Sequence, residues 1–373
     1  MRRVRLRFMK RRAFLECSVA AAWGAPLSTA LRQEYLDAAA EVLALATRSG
    51  EVAAAVMHVT QGDKSFTRSF GNAANEHAMF LLGSISKPIS VTALMTLFDR
   101  GAFTLDDRLR KFIPQFTGEG REDVTIRHLL THVSGLPDQL PENDALRSKH
   151  APLSEFAEKA IRTPLHFAPG SRYQYSSMGI LLAARVAEQI SGLDILTLVD
   201  QAVLRPLVMQ HSAQGLGRFQ LEDMIPVQTE RAAPESGGGD PKARLWDWNS
   251  LYWRKLGAPW GGTHASAPDI GRFLAEFLYE NGKVVKPETV RKMVSNQNGP
   301  GLTPRGLGMN VGASAGSPGC SEVTFGHTGS TGTICWADPL SHTICVVLTS
   351  LPARAVPSHP RDVAAAHVAA AAR

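Results

Sequence analysis

The chain is short of cysteine, with four among 373 residues, and no two of them have the spacing of a zinc site. Cys17 falls in the N-terminal segment, and Cys320, Cys335 and Cys345 are left, which allows at most one disulfide. Cys335 and Cys345 lie on successive strand-like runs where they could oppose one another, although buried free thiols are the expected state. Long apolar runs are missing too. Nothing after residue 30 approaches the ~18 apolar residues of a helical membrane span. Excess charge of one sign is confined to the start: residues 1–30 hold seven basic side chains (Arg2, Arg3, Arg5, Arg7, Lys10, Arg11, Arg12) and one acid, Glu16. The rest is formally neutral, with 33 basic and 33 acidic residues (40 less seven, 34 less one). The net charge of +6 and the isoelectric point near 9.2 therefore carry no global footprint for nucleic acid. A dinucleotide fingerprint is lacking, since Val311 stands at the third glycine position after Gly306-Leu307-Gly308.

What is present describes an ordinary globular protein, with 44% hydrophobic residues and a mean hydropathy of −0.09. Its length suits one large domain or two intertwined lobes. Residues 1–30 read as a processing segment, the alternative being a disordered basic tail: Lys10-Arg11-Arg12-Ala13-Phe14-Leu15 precedes a weakly apolar run to Ala30, similar to a twin-arginine export signal. Met9 is an alternative start, and Ser28-Thr29-Ala30 a candidate cleavage site. Export to the periplasm or beyond is the corresponding expectation.

Helical spacing of apolar residues runs from Leu31 to about Arg48, strand-like alternation over 52–60 and 65–70, and a buried helix from the Ser84 region to Gly101. Thr125 is placed to cap a short helix, and Ser176 or Ser177 to cap another that Gly192 ends. A polar stretch over 230–246 is a lid or a surface excursion. Strands follow over 323–328, 332–337 and 343–349, then an alanine-rich helix over 361–371. Strands at both ends with helices between predict an antiparallel sheet built from both termini. The sheet lobe takes about 31–83 and 255–373, and a mostly helical lobe about 84–254.

Ser84 and Lys87 stand three apart at a helix start, so hydroxyl and ammonium share a face. A serine becomes a strong nucleophile once a neighbouring base takes its proton, and a desolvated lysine can be that base. Free N–H groups of a helix start suit an oxyanion. A Ser-x-x-Lys arises about once by chance in a chain of this composition, so the motif needs partners. His128 and His132 have the i, i+4 spacing of helical zinc ligands, but Leu129 stands where a metalloprotease carries its Glu, and structural roles are expected. Ser84 also lacks the Gly-x-Ser-x-Gly turn of α/β-hydrolases.

The partners are Tyr175-Ser176-Ser177, ahead of a buried helix, and His327-Thr328-Gly329, ending a β-rich run. With Thr125 to Pro137, Pro169-Gly170, Gly261-Gly262, Asp269 and Phe325 to Gly332 in this order, the chain resembles the serine β-lactamase and penicillin-binding-protein superfamily, closest to its class-C-like branch of β-lactamases, esterases and D-amino-acid peptidases. The resemblance implies an α/β (α+β) fold of the β-lactamase/transpeptidase type, with an antiparallel sheet flanked by helices. It also implies Ser84 as acylated nucleophile, Lys87 as its proton partner, Tyr175 as proton shuttle, and the Ser84 and Ser330 amides as oxyanion hole. Ser177, His327, Thr328 and Gly329 would line the substrate cleft, with no metal or cofactor. Two departures bear on substrate: Ser177 replaces the Asn usual in the middle motif, and His327 replaces the Lys usual in the third. Both weaken recognition of penicillin-like or D-Ala-D-Ala carboxylates and favour small or medium esters. β-Lactams and D-peptides are the alternative substrates, and a weakly catalytic β-lactam or peptidoglycan sensor the alternative of another class. Oligomeric state is not legible.

Overall fold

The computed structural model describes residues 31–233 and 236–373. The export-type segment 1–30, with Cys17, lies outside them. Helix α1 (Gln33–Arg48) leads into the hairpin β1 (Ala54–Gln61) and β2 (Lys64–Gly71), then the short β3 (Phe80–Leu81) and helix α2 (Ser86–Asp99). The middle of the chain supplies α3 (Ile126–Leu130), α4 (Asn143–Ser148), α5 (Leu153–Arg162), α6 (Ser177–Ser191), α7 (Ile195–Val199), β4 (Ser212–Gln214) and α8 (Leu251–Leu256). The chain closes with β5 (Thr263–Ala265), α9 (Ala267–Leu278), α10 (Pro287–Met293), β6 (Asn310–Val311), β7 (Phe325–Gly329), β8 (Thr333–Asp338), β9 (Thr343–Thr349) and α11 (Pro360–Ala371).

Six strands form one sheet in the order β2-β1-β9-β8-β7-β6, with every pair antiparallel, so strands from both ends of the chain meet at β1–β9. The period of two along each strand divides the core. Ala55, Met57, Val59, Trp336, Cys345 and Val347 pack under α1 and α11. Ala54, Val56, Cys335, Ala337, Ile344, Val346 and Leu348 face the other way, toward α9 and α2. Helix α2 is buried almost throughout, which is why its sequence is apolar or small on every side rather than striped. Pro88 fits its first turn, and Gly101 follows its end at φ 75°. Thr125 caps α3 in a capping box with His128, and Ser176 caps α6 by accepting from the Gly179 amide at 2.9 Å.

Cys335 and Cys345 do not oppose one another. The register pairs Cys335 with Val346 and Trp336 with Cys345, which sends the two thiols to opposite faces. All three described cysteines are free, and burial pushes Cys335 up to about 12. His128 and His132 do not share a helix face either, because α3 ends at Leu130 and His132 sits at φ 63°. Each ring instead accepts a backbone N–H at Nδ1, from Thr125 (3.3 Å) and Ser176 (3.2 Å) respectively.

Several imidazoles are folded in neutral. Burial first, and a nearby arginine second, hold His58 at about 4 and His264 at about 3; burial holds His359 at about 4. Their folded values lie below that of an unfolded histidine, so the unfolded chain binds more protons as pH drops. Stability is complete above about pH 6.5 and is lost as pH falls toward 4. By this linkage His58 and His359 each cost up to about 3 kcal/mol of stability once the pH has fallen to about 4. Calorimetry across pH 8 to 4 should give a level Tm down to about 6.5 and a steep decline below; a level Tm to pH 4.5 would contradict it.

Candidate active site

Ser84 is presented by a turn that glycine makes accessible. Gly83 has φ 56°, and a Cβ there would lie 3.0 Å from Thr331 Oγ1 and 3.1 Å from the Ser330 nitrogen. A 3-10 turn, Gly83–Ile85, carries Ser84, and α2 proper begins two residues later than the serine. Lys87, second in α2, has no exposed surface. Its Nζ donates to Ser84 Oγ at 3.0 Å and to the carbonyl of Trp260 at 3.0 Å.

The end of β7 is clamped onto this turn. Thr331 Oγ1 donates to the Leu81 carbonyl (2.6 Å), and Thr333 Oγ1 to the Leu82 carbonyl (2.7 Å). A Cβ on Gly329 would stand 2.0 Å from that Leu82 oxygen, so no larger residue fits there. Behind the strand, Arg361 Nη1 donates to the carbonyls of Gly329 (2.6 Å) and Thr333 (2.9 Å).

Tyr175 sits among cations and neutral rings. Lys87 Nζ lies 4.7 Å from its ring centroid and Arg305 Cζ 5.6 Å, with the rings of His132 at 4.5 Å and His327 at 6.2 Å. Burial, then Arg305, then Lys87, hold both imidazoles well below the usual histidine range. His327 faces the Thr328 carbonyl through Nδ1 (2.7 Å) and Arg305 Nη2 through Nε2 (2.8 Å). A carbonyl only accepts and a guanidinium only donates, so the proton of the neutral ring is on Nδ1. Arg305 also donates to Asn310 Oδ1 and is 3% exposed. Ser177 gives both its hydroxyl (2.6 Å) and its amide (2.9 Å) to Asp138 Oδ1.

The residues assigned to catalysis and substrate binding meet at one cavity of about 490 Å³. Ser84, Tyr175, Ser177, His327, Thr328, Gly329 and Ser330 line it, with Lys87 hydrogen-bonded to the serine beneath. Trp248, Trp253, Trp260 and Tyr173 add aromatic wall, and Asp138, Arg147 and Arg305 add charge. Among the described residues of the 230–246 stretch, Thr229–Arg231 and Pro241–Leu245 form 3-10 turns, and Ala233 and Ser236 line the cavity. Sequence reasoning missed Arg305, Asp138 and the Trp260 carbonyl. Arg305 carries no local signal; the pairing of β6 with β7 sets Asn310 opposite Gly326 and so brings it beside His327. Asp138 had one available signal, its place directly after Gly135-Leu136-Pro137 within a motif already recognised.

A family model described as Beta-lactamase matches residues 34–370. Among curated proteins, "Esterase EstB" of Burkholderia gladioli is 34% identical over 208 residues, 52% of this chain and 51% of the esterase. A "Putative D-alanyl-D-alanine carboxypeptidase" of Escherichia coli (strain K12) is 27% identical over 289 residues, 70% of this chain and 66% of that protein. The chain thus spans about half the length of the first of these relatives and 66% of the second. Two solved structures share the fold. "EstCE1, a hydrolase with promiscuous acyltransferase activity" has a TM-score of 0.72 at 19% identity, covering 90% of this chain and 98% of its own. A penicillin-binding protein homolog from Caulobacter crescentus has a TM-score of 0.74 at 18% identity, covering 92% and 99%.

The contact between Gly329 and Leu82 O makes the clamp testable. Gly329→Ala should reduce covalent labelling of the protein by a fluorophosphonate at least ~100-fold and lower Tm by several degrees. Gly299→Ala, at a position with nothing within 4 Å, should change neither. Wild-type labelling of Gly329→Ala would show that the strand need not lie so close.

Proposed function

The chain belongs to the beta-lactamase family, and we propose that within it the protein is a serine hydrolase working through an acyl-enzyme on Ser84, with small or medium esters as substrates. The observation that carries this is the 3.0 Å contact of Lys87 Nζ with Ser84 Oγ on the floor of the cavity, from a lysine wholly removed from solvent. In this reading Ser84 Oγ attacks the ester carbonyl while its proton passes to Lys87 Nζ. The carbonyl oxygen, now negative, accepts from the amides of Ser84 and Ser330. Tyr175 relays a proton to the departing alkoxide as the ester C–O bond breaks. Water then attacks the acyl carbonyl; as the bond from that carbon to Ser84 Oγ breaks, a proton from the water passes to Oγ and the carboxylic acid leaves. Ser84, Lys87 and Tyr175 are the catalytic residues of the proposal, and Ser177, His327, Thr328 and Gly329 the substrate wall.

Esters are favoured over β-lactams by what replaces the amide and the lysine of the related motifs. The Ser177 hydroxyl is already committed to Asp138, and His327 is neutral. Three tryptophans line the cavity and suit apolar acyl or alcohol groups. The esterase relative supports the same choice. Arg305 supports a second reading: a fixed cation beside His327 suits a substrate carboxylate, as on a peptide C-terminus. The relatives named as carboxypeptidases agree with it. Export through the twin-arginine-type segment belongs to the same proposal, supported by its sequence pattern.

Hydrolysis of a short-chain nitrophenyl ester should exceed that of a chromogenic cephalosporin and of a D-Ala-D-Ala peptide. Ser84→Ala should remove at least ~1,000-fold of the ester rate, and Lys87→Ala should lower acylation by ~100- to 10,000-fold. Turnover retained in Ser84→Ala would refute the assignment. Cephalosporin cleavage that dominates would make the protein a β-lactamase, and a lasting Ser84 adduct without turnover would make it a sensor. The role of Arg305 is read from a matched pair of esters, one bearing a carboxylate. Arg305→Met should cost the charged ester about tenfold more in kcat/KM than the neutral one; equal losses would remove the carboxylate reading.

A further inference from the structure

The carbonyl of Gly329 and the N–H of Ser330 belong to one peptide group, and a guanidinium is bonded to its oxygen. Arg361, second residue of α11, is 7% exposed and borders the catalytic cavity. Its Nη1 bridges the Gly329 and Thr333 carbonyls at 2.6 and 2.9 Å. Those two residues face each other across the β7–β8 ladder, on either side of the turn that carries Ser330. The start of α11 is itself anchored: the Arg361 amide donates to His359 Nδ1 (3.1 Å), and His359 Nε2 donates to the Leu351 carbonyl (2.9 Å).

Satisfying the turn does not require a charge here. The Gly329 carbonyl already accepts the Gly332 amide at 3.1 Å. A guanidinium added to an oxygen that has a partner is costly to bury, and its Nε partner Asp362 (3.1 Å) is half-exposed, so solvent screens much of that carboxylate's field. What the charge does accomplish follows from amide resonance. A strong donor on the carbonyl oxygen draws electron density from nitrogen, and the N–H of the same peptide becomes a better donor.

We infer that Arg361 is a positioning residue for the oxyanion hole, polarising and orienting the Gly329–Ser330 peptide so that the Ser330 N–H donates more strongly as negative charge collects on the substrate oxygen. The inference rests on Ser84 as the nucleophile and extends it to a residue that acts through the Gly329–Ser330 peptide. As Ser84 Oγ bonds to the carbonyl carbon and the C=O electron pair moves to oxygen, the Ser330 N–H takes up part of that charge. The Gly329 oxygen then becomes more negative, directly against the guanidinium.

A carbonyl oxygen and a thiocarbonyl sulfur separate this role from simple scaffolding, because sulfur accepts hydrogen bonds poorly. Acylation by an aryl ester and by its thionoester counterpart is measured in wild type, Arg361→Met and Arg361→Lys, with Tm followed throughout. For the ester, Arg361→Met should lower kcat about tenfold with KM nearly unchanged, less than the 100- to 1,000-fold of deleting a donor outright. The ester-to-thionoester ratio should narrow by a similar factor, and affinity for an arylboronic acid, which forms a tetrahedral adduct on serine, should fall in parallel. Arg361→Lys, which keeps the charge with a single donor group, should fall between. Equal losses on ester and thionoester would overturn the inference, as would an unchanged ester rate. If Arg361→Met does not fold, Arg361→Lys decides alone: a lowered rate with the wild-type ratio overturns it. Peptide mass spectrometry of a fluorophosphonate adduct keeps the two readings apart. Label away from Ser84 refutes the nucleophile, whereas label on Ser84 with an unaltered ratio refutes only Arg361.

Discussion

The site depends on one close backbone contact, where the end of β7 is pressed against the turn that presents Ser84. Gly329 has no side chain because Leu82 O occupies the space a Cβ would need. The hydroxyls of Thr331 and Thr333 then bond the two carbonyls preceding that turn. Two pieces of sequence far apart in the chain meet here: a positive-φ glycine ahead of the nucleophile, and a stretch with a glycine at the end of β7, a threonine on the turn and another opening β8. They make sense together only once the sheet and the buried helix α2 are in contact. A shift of an ångström would separate the two amides assigned to the oxyanion, and such misplacement can cost about 100-fold in rate. The large core on both faces of the sheet keeps that register fixed, because packed interiors resist gradual deformation.

Around this contact the protein keeps imidazoles neutral. Arg305 and Lys87 both lower His132 and His327, while burial contributes most. A protonated His327 would have to sit unscreened against the Arg305 guanidinium at 2.8 Å. Its neutral tautomer instead accepts from that guanidinium and donates to the Thr328 carbonyl. The histidine found where related chains carry lysine is therefore not a weakened cation. It is an acceptor that fixes a real cation, Arg305, next to the cleft. The positive charge that a lysine would bring here is supplied from a different segment, by Arg305.

That relocation marks the limit of what the sequence disclosed. Ser84 and Lys87 were legible because the i, i+3 relation is local, and Tyr175 and His327 because they sit in short motifs at recognisable places. The antiparallel sheet from both termini was legible from strand runs joined by short turns, and the β1–β9 pairing agrees. Arg305, Asp138 and Arg361 act through partners 22, 39 and 32 residues away, and no periodicity records such distances. Local spacing also misled. The His128 and His132 pair assumes a helix that continues, but the backbone leaves the helix after Leu130. Cys335 and Cys345 look like neighbours on a hairpin, yet a one-residue offset in register puts them on opposite faces.

The distribution of charge argues for the chemistry independently of any substrate. Lys87 lies under Ser84, Arg305 beside His327, and Arg361 behind the Gly329 carbonyl, so two guanidiniums and an amine that becomes cationic on taking the Ser84 proton approach one small region from three segments of the chain. Among the described residues, none of the three is bonded to a buried carboxylate: Lys87 and Arg305 bond a carbonyl, a hydroxyl, an amide oxygen and an imidazole, and the acid on Arg361 is half-exposed. Burying positive charge without a counter-ion is costly, and stability alone would favour apolar side chains of similar volume. The arrangement is understandable if the missing counter-charge arrives during reaction, as an oxyanion on the substrate carbonyl. Dipoles and cations already fixed in place need no reorganisation when that charge forms, which is where electrostatic catalysis draws its largest advantage. Substrate choice is then a separate matter, which the proposal assigns to the tryptophan wall and the Arg305 charge, while the anion-stabilising frame would serve an ester or a peptide equally.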